Sequence, residues 1–356
     1  MHASRENRRY LILATGEFAT SAKTAHGVIR YADDETVAVV DPKHAGKTVR
    51  DVLPYLRSGA PIVADVQSGL QYAPTSLLIG VAPVGGALPS SWRGEILRAI
   101  DAKLEIVSGL HELISVDPEF SAAAKRSGSR IWDVRVPPPV SIFSGAAYDV
   151  GAPVLLTVGA DCAVGKLTVS LEIVRAAHER GVRATLVPTG QTGVMIAGWG
   201  ICIDRVISDF AAGAAEALVL QAASDSDLIV VEGQGGINHP AYGAVTLALL
   251  YGAAPDALLL VGDPTRNTLE GGFSTPRLSW RGLIELYESL AAAVKPAKVV
   301  GIALNTSALS ASEAHAELQR VRAETALPAD DVVRNGPYTL YAAIAPHLTK
   351  RRKLVA

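Results

Sequence analysis

The sequence predicts an α/β protein with two parallel-sheet domains, and three observations support that prediction. The chain has 356 residues, a length that fits two domains of ordinary size. Hydrophobic residues make up 49% and charged residues 19% of it, which excludes a disordered chain because so apolar a composition must bury a large core. Aromatic residues are only 5% beside 32 glycines, so the core is mainly aliphatic, as in parallel strands flanked by close-packed helices.

The first half alternates short β-branched runs with helical stretches, and this order predicts a parallel sheet covered on both faces. Strands are predicted at residues 10–15, 36–41, 62–66, 76–82, 104–107 and 130–136. Helices are predicted at 21–31 and 91–102, and Gly46-Lys47-Thr48 is interpreted as a helix start. The consecutive prolines 137–139 cannot continue a helix or donate to a strand ladder, so they predict a boundary between domains 1–140 and 141–356.

The second half shows the same alternation, so a second parallel α/β sheet is expected. Its strands are predicted at residues 153–158, 184–188, 228–231, 257–261 and 299–304. Its helices are predicted at 166–179, 209–223, 245–251, 280–294 and 310–326, the last opening with a serine-rich N-cap. Residues 188–193 are predicted to form a loop rich in hydroxyl groups and glycine.

Charge and cysteine content limit the classes of partner that the protein can have. The formal net charge of −2 provides no field that would concentrate nucleic acid or an anionic membrane. Two cysteines cannot build a disulfide framework, and the N-terminal residues lack the apolar core of a signal peptide. We therefore expect a cytoplasmic protein with no nucleic-acid or membrane partner. The chain is rich in alanine and glycine, and we expect a homo-oligomeric state. The basic tail 350–353 is expected to be a solvated end.

A glycine-rich loop directly follows the strand predicted at 153–158 and opens the helix predicted at 166–179. Between such a strand and helix, backbone N–H groups point inward and hold phosphate oxygens at the positive end of the helix. The lysine adds a cation, and the hydroxyl that follows binds Mg²⁺ or a phosphate. The cofactor-binding residues predicted here are Gly159, Asp161, Cys162, Ala163, Val164, Gly165, Lys166, Leu167 and Thr168.

This loop departs from the pattern G-x-x-x-x-G-K-[ST] at two places. Five residues instead of four lie between Gly159 and Gly165, and Thr168 follows Lys166 by two positions instead of one. The alternative interpretation is a glycine-rich turn with a surface lysine. A covalent cysteine mechanism is not expected, because nothing in the sequence pairs Cys162 with a base.

Ligands of doubly wound sheets bind beyond the carboxyl ends of the strands, so residues that follow strands are further candidates. Glu232 is a candidate acid–base group or metal ligand, or else a solvated strand end. His239 is a candidate general base, or else a structural histidine before a proline. Asp209 either completes a metal site with Thr168 and Glu232 or caps a helix. The substrate-binding candidates are Thr189, Gln191, Thr192, Gly233, Gln234 and His111.

Five segments in order resemble a P-loop family long catalogued as a domain of unknown function; they are GADCAVGKLT, PTGQTGVMI, DRVISDFAAGA, VVEGQGGINHPAY and PDALLLVGDPTRN. Some members are described as D-glutamate N-acetyltransferases, which make N-acetyl-D-glutamate from acetyl-CoA. Upstream, GVAPVGGALPSSWRGEI, IVSGLHELIS and IWDVRVPP resemble that family's N-terminal domain. The resemblance covers nearly the whole chain and implies a Rossmann-like parallel-sheet domain followed by a P-loop NTPase-like doubly wound domain.

A more distant resemblance links the second half to dethiobiotin synthetase. It rests on the glycine-rich loop, on VVEGQGG and on Asn305 in GIALNTSALS. The resemblance implies that Asn305 occupies the position of an asparagine that recognises adenine. Asn305 is therefore added to the predicted cofactor-binding residues.

Three functions stay open at this stage. The first is an N-acyltransferase that moves an acetyl group from acetyl-CoA to the amine of an acidic amino acid, with D-glutamate as the acceptor that the resemblance implies. In it the loop holds the phosphates of CoA, His239 or Glu232 takes the ammonium proton, and glycine amides of residues 233–236 stabilise the oxyanion. The substrate carboxylates would bind to Arg93, Arg277 or Lys23.

The second function is an ATP- and Mg²⁺-dependent ligase or kinase that activates a carboxylate as an acyl phosphate. Its Mg²⁺ would bind to Thr168, Asp209 and Glu232. The third is a nucleotide-binding regulator with little turnover. The predicted cofactor is thus acetyl-CoA or ATP, with Mg²⁺ required by the second function.

Overall fold

The chain folds into two compact units, each with its own parallel sheet. The computed structural model describes residues 7–81 and 86–347. The first unit contains the described residues up to Pro137 together with Gln191–Cys202, and the second contains Pro138–Gly190 together with the described residues from Ile203 onward. The α/β fold class predicted from the sequence is confirmed.

The first unit has a six-stranded parallel sheet in the order β3-β2-β1-β4-β5-β6. This order is typical of dinucleotide-binding folds. Its strands are β1 (Arg9–Leu13), β2 (Glu35–Val40), β3 (Ile62–Val63), β4 (Ser76–Ile79), β5 (Glu105–Ser108) and β6 (Ile131–Asp133). Its helices include α1 (Lys23–Tyr31), α2 (Val49–Val52), α3 (Val66–Gly69), α4 (Arg93–Asp101) and α5 (Pro118–Ser127).

Capping residues explain where the local predictions for this unit succeed and fail. Thr48 starts α2 through a capping box with Asp51, which confirms the helix start predicted there. The strand predicted at 62–66 is wrong beyond Val63, because the Asp65 side chain accepts the N–H of Ser68 at 2.7 Å and begins α3. Helix α5 was not predicted, although it begins at an Asp117 N-cap with a proline in its first turn.

The second unit has a six-stranded parallel sheet in the order β12-β11-β10-β7-β9-β8. Since β7 lies between β10 and β9, the segments that follow these three strands meet at one edge of the sheet. The strands are β7 (Val154–Gly159), β8 (Ala184–Val187), β9 (Leu228–Val231), β10 (Ala257–Gly262), β11 (Lys298–Leu304) and β12 (Ala329–Asp330). The helices are α6 (Lys166–His178), α8 (Ser208–Ala223), α9 (Gly243–Gly252), α10 (Trp280–Ala292), α11 (Ala311–Thr325) and α12 (Tyr338–Ile344).

The chain leaves the second unit after β8 and returns twelve residues later. Helix α7 (Gln191–Ala197) belongs to the first unit, where the Thr192 and Thr24 hydroxyls are 3.0 Å apart. The loop predicted at 188–193 is therefore wrong from Gln191 onward, since a helix begins there. The points where the chain leaves and re-enters the second unit are adjacent, because the Ile203 N–H donates to the Thr189 carbonyl at 3.0 Å. The predicted domain of residues 141–356 did not anticipate this excursion.

Two sequence expectations lie at or beyond the limits of the described residues. The basic tail 350–353 and the end of the strand predicted at 76–82 lie outside them. Over the described residues, every helix is too short or too polar to span a lipid bilayer.

Candidate active site

The glycine-rich loop between β7 and α6 forms a nest of backbone N–H groups. Ala163 (φ 51°) and Gly165 (φ 106°) adopt left-handed conformations, which turn successive amides towards one side. Within the described residues, the N–H groups of residues 163–168 donate to no protein acceptor. A run of free amides at the start of a helix is an anion site, so the loop has the geometry that phosphate binding requires.

Lys166 lies folded over this loop. Its Nζ donates to the carbonyl oxygens of Asp161 at 2.8 Å and Gly235 at 2.7 Å, and the residue is 7% exposed. Burial lowers the pKa of this ammonium to about 8, against the attraction of neighbouring acidic groups. A Cβ on Gly159 would lie 2.6 Å from Lys166 Nζ and 2.5 Å from the Gly235 carbonyl oxygen, so only glycine fits there.

A segment after β10, residues 263–279, packs against the loop through Asp161. The Asp161 carboxylate is buried, and its Oδ2 accepts from Arg266 Nη1 at 3.1 Å and from the Glu270 N–H at 2.9 Å. Arg266 Nη1 also donates to the Cys162 carbonyl at 2.9 Å. Asp161 thus holds the 263–279 segment on the phosphate loop, a role that the sequence did not reveal.

His239 is buried beside the same segment, with both ring nitrogens engaged by the backbone. Nε2 donates to the Glu270 carbonyl at 3.0 Å, and Nδ1 accepts the Ala241 N–H at 3.2 Å. The ring also contacts Tyr242 and Phe273, with centroids 4.7 and 5.1 Å away. In this arrangement neither nitrogen is available to take a proton from a substrate, and the role of general base remains a prediction.

Asp161, Cys162 and His239 have the residue types of a metal centre, with one ligand atom from each within 4.8 Å of the others. Their hydrogen bonds do not fit one, because a ring nitrogen that donates has no lone pair to offer a metal. Burial also raises the pKa of the Cys162 thiol to about 11, so it stays protonated at neutral pH. The trio therefore functions as a packed polar cluster, and Cys162 is not an activated nucleophile.

Glu232 follows β9 and is buried at the edge of the sheet, 6% exposed. Its Oε2 accepts the N–H groups of Thr189 at 3.1 Å and Gly190 at 3.2 Å. Burial raises the pKa of this carboxyl to about 7, and the two amides offset only part of that rise. Thr189 and Gln234 lie beside it, since the Thr189 hydroxyl donates to the Glu232 carbonyl at 2.6 Å and accepts from Gln234 Nε2 at 3.1 Å.

Two buried hydroxyls that sequence reasoning missed hold this edge together. Thr157 Oγ1, inside β7, accepts the Gly233 N–H at 3.0 Å. Tyr287 Oη donates to the Gly159 carbonyl at 2.7 Å and accepts the Ile237 N–H at 3.1 Å. A hydroxyl within the apolar run LLTV was the available signal for Thr157, whereas Tyr287 has the spacing of an ordinary core aromatic.

The glycine segment after Glu232 is therefore only partly free. The N–H of Gly233 is engaged by Thr157, but in the part of the chain that the structure describes the N–H groups of Gly235 and Gly236 meet no acceptor. These two amides are the ones that remain for a substrate oxygen.

A cavity of about 350 Å³ opens at the start of α6. That volume is in the range of small-molecule sites. Four predicted cofactor-binding residues line it: Val164, Gly165 and Thr168 from the loop and α6, and Asn305 directly after β11. Its other walls are formed by Val169 of α6, Leu304 and Ser307 at and after the end of β11, and by residues after β12, which are Asp331, Val332, Val333 and Arg334.

Other predicted site residues lie elsewhere. Asp209 is exposed in the first turn of α8, whereas Glu232 is buried and Thr168 lines the cavity, so the magnesium set stays a prediction. Gln191, Thr192 and His111 belong to the first unit.

Two arginines considered for the substrate carboxylates already have partners. Arg93 forms ion pairs with Asp117 and Glu119, at 2.9 and 2.5 Å. Arg277 donates to the Asp263 carbonyl at 2.9 Å and stacks on Trp280.

The parallel sheet, the nest of amides and the folded lysine define the second unit as a P-loop α/β domain. Two family models match the chain accordingly. The P-loop domain described as "Domain of unknown function (DUF1611_C)" matches residues 141–341, and the Rossmann-like domain DUF1611_N matches residues 42–137. The chain belongs to the DUF1611 family, which confirms the family resemblance seen in the sequence.

Two named enzymes and one crystal structure are similar to this chain and extend the family assignment. A D-glutamate N-acetyltransferase from Tritonibacter scottomollicae is 38% identical over 273 residues, which are 76% of this chain and 81% of that protein. One from a Pseudoalteromonas species is 35% identical over 268 residues, 75% of this chain and 80% of that protein. A crystal structure of a DUF1611 family protein from Anabaena variabilis is 38% identical, with a TM-score of 0.90 over 96% of this chain and 100% of that chain. By these relationships the chain is an enzyme of the transferase class, and N-acetyl transfer is the supported reaction.

Proposed function

We propose that this enzyme transfers the acetyl group of acetyl-CoA to the amine of an acidic amino acid, with D-glutamate as the acceptor. The observation that carries the proposal is Glu232, a buried carboxyl with a pKa of about 7 at the edge that also bears the phosphate loop. An amino acid reaches an acyltransferase as an ammonium ion and must lose a proton before its nitrogen can attack. A base with a pKa near the operating pH is suited to that step.

The phosphate loop binds the donor in this proposal. The free amides of residues 163–168 and the ammonium of Lys166 would hold the pyrophosphate of CoA. The cavity beside them has the size for an adenosine, with Asn305 on its wall. The P-loop then serves as the binding site of a phosphate-bearing acyl carrier, and the reaction needs no nucleotide hydrolysis.

The transfer proceeds by addition and elimination at the thioester carbonyl. Glu232 takes a proton from the ammonium, and the freed nitrogen forms the N–C bond. The amides of Gly235 and Gly236 are candidates to stabilise the oxyanion. The C–S bond then breaks and the thiolate of CoA leaves. It takes up the second proton that the nitrogen must lose to become an amide.

A paired assay tests this function. Purified protein is incubated with D-glutamate and acetyl-CoA while free thiol is followed, and separately with D-glutamate, ATP and Mg²⁺ while released phosphate is followed. We expect thiol release and N-acetylglutamate, with L-glutamate as the stereochemical control. Phosphate release alone would instead indicate the ligase or kinase, and binding without turnover would indicate a regulator.

A matched pair of variants tests the base. Glu232→Gln should lower kcat by about 10²-fold or more, since it removes general-base catalysis. Glu216 is the control, because it is also buried and also accepts backbone N–H groups, from Ser144 at 2.7 Å and Ala147 at 3.2 Å, but outside the phosphate edge. Equal losses of kcat in Glu232→Gln and Glu216→Gln would contradict the assignment of Glu232.

A further inference from the structure

The cavity at the start of α6 contains an arginine that has no acidic partner. Arg334 Nε donates to the Thr306 hydroxyl at 3.1 Å, and its Nη2 donates to the carbonyls of Thr306 at 3.0 Å and Leu309 at 2.9 Å. Among the described residues, no carboxylate forms a direct ion pair with this guanidinium and its Nη1 has no acceptor. Three neutral acceptors thus fix the group without a direct ion pair.

The other charged residue of the cavity wall is Asp331, and its oxygens are fully engaged. Oδ2 accepts the Thr306 N–H at 3.0 Å and the Thr306 hydroxyl at 2.5 Å, while Oδ1 accepts the N–H groups of Val333 at 2.9 Å and Arg334 at 3.0 Å. These bonds shape the turn that presents Arg334. The same Thr306 hydroxyl accepts from Arg334 Nε, so Asp331 and the guanidinium are linked through one hydroxyl, while the Asp331 oxygens themselves are taken up by these four donors.

The other basic groups near the phosphate loop differ from Arg334. Lys166 is buried over the loop, and Arg266 forms ion pairs with Asp161 at 3.1 Å and Glu270 at 2.8 Å. Arg334 is therefore an exposed cation, held in place by neutral oxygens and without a direct ion pair among the described residues, on the wall of a cavity that the phosphate loop also lines. A ligand that binds both groups needs a second anionic group besides the one that the loop holds.

We propose that Arg334 binds the 3′-phosphate of the adenosine moiety of CoA and thereby selects CoA over ATP and ADP. The proposal rests on the proposed function, whose donor it specifies. ATP carries its phosphates on the 5′ side only, so it offers Arg334 no partner. A planar guanidinium with free N–H groups is suited to a phosphate monoester, and such charge-assisted hydrogen bonds are among the strong ones.

Calorimetry with paired ligands tests the proposal without any turnover. The pairs are CoA with dephospho-CoA, and adenosine 3′,5′-bisphosphate with 5′-AMP, since the members of each differ only in the 3′-phosphate. We expect the parent protein to bind the phosphorylated member at least about tenfold more tightly, equal to about 1.4 kcal/mol. Adenosine 2′,5′-bisphosphate serves as the positional control and should bind more weakly than the 3′,5′ isomer.

Variants separate Arg334 from a general effect of charge. Arg334→Gln should reduce the preference to about twofold or less while its affinity for dephospho-CoA stays unchanged, and Arg334→Lys should retain part of it. Arg320→Gln is the control, because Arg320 forms surface ion pairs with Glu317 and Glu324 on α11. A parent protein without the preference, or Arg334→Gln with the preference intact, would overturn the proposal.

Two further measurements keep this proposal distinct from the reaction itself. If Arg334→Gln does not fold, the preference of the parent protein should still shrink steeply as salt is raised, as an ion pair demands. Binding preference without N-acetyl product would refute acetyl transfer and leave the 3′-phosphate assignment standing. Equal kcat/KM for acetyl-CoA and acetyl-dephospho-CoA would refute the 3′-phosphate assignment and leave acetyl transfer standing.

Discussion

Glu232→Gln should remove a loss of stability that the parent protein undergoes as pH rises, while it lowers kcat by about 10²-fold or more. Burial raises the pKa of Glu232 from 4.5 to about 7, so between those values the folded chain keeps a proton that the unfolded chain has lost. The stability of the parent therefore falls as pH rises through this window. The rise corresponds to about 3 kcal/mol over the whole window, and most of it falls between pH 5 and pH 8. The amide side chain of the variant is neutral throughout and escapes this loss.

Urea unfolding at pH 5 and pH 8 measures the effect. The difference in unfolding free energy between Glu232→Gln and the parent should shift by about 2–3 kcal/mol in favour of the variant on going from pH 5 to pH 8. Glu216→Gln should show no such shift, because hydrogen bonds from Ser144 and Ala147 outweigh burial and hold the pKa of Glu216 below its ordinary value. A difference for Glu232→Gln that is the same at both pH values would refute the assigned pKa.

Three other substitutions probe the same edge. Lys166→Ala should weaken acetyl-CoA binding by about tenfold or more in calorimetry, through loss of a phosphate-binding cation, and equal binding would exclude the loop as the CoA site. Tyr287→Phe leaves the Gly159 carbonyl and the Ile237 N–H unpaired, so thermal unfolding should report a loss of about 1–3 kcal/mol; a loss within error would show that water replaces the hydroxyl. His239→Gln should cost stability more than kcat in parallel melting and rate measurements, because both ring nitrogens bind backbone groups, and a stable variant with kcat reduced about 10²-fold would restore the general base.

The phosphate loop and Glu232 could be predicted because their signals are local. A glycine-rich stretch between a strand and a helix determines its own geometry, and parallel order brings the ends of β7 and β9 to one edge of the sheet. Thr189 and Gln234 followed from the same reasoning, and the structure brings both beside Glu232.

The roles of Arg266 and Arg334 could not be predicted, since the chain has 33 basic residues and nothing in the sequence singles out these two as partners of a site. Their roles depend on what surrounds them. Asp161 and Glu270 neutralise Arg266, whereas Arg334 is held only by neutral oxygens. Asp161 and Thr306 lie 105 and 28 residues away from their arginines, and contacts over such separations leave no pattern in a single sequence.

Helix α7 was misassigned because the small polar residues after β8 resemble a ligand loop. Its location is decided by packing in the first unit, where a Cβ on Gly27 would lie 2.8 Å from Thr192 Cγ2. Such close approach of two helices depends on a glycine far upstream, and periodicity within either segment does not reveal it.

The excursion of residues 191–202 has a consequence for biosynthesis. Thr24 and Thr192, which are in contact in the first unit, are 168 residues apart in the sequence. That unit is therefore incomplete until residues 191–202 have emerged from the ribosome. N-terminal domains ordinarily fold first during synthesis. Here the first unit cannot complete its packing until helix α7 has been synthesised, although α7 lies between two segments of the second unit in the sequence. A nascent chain stopped at the proline run therefore exposes the face of α1 that α7 covers.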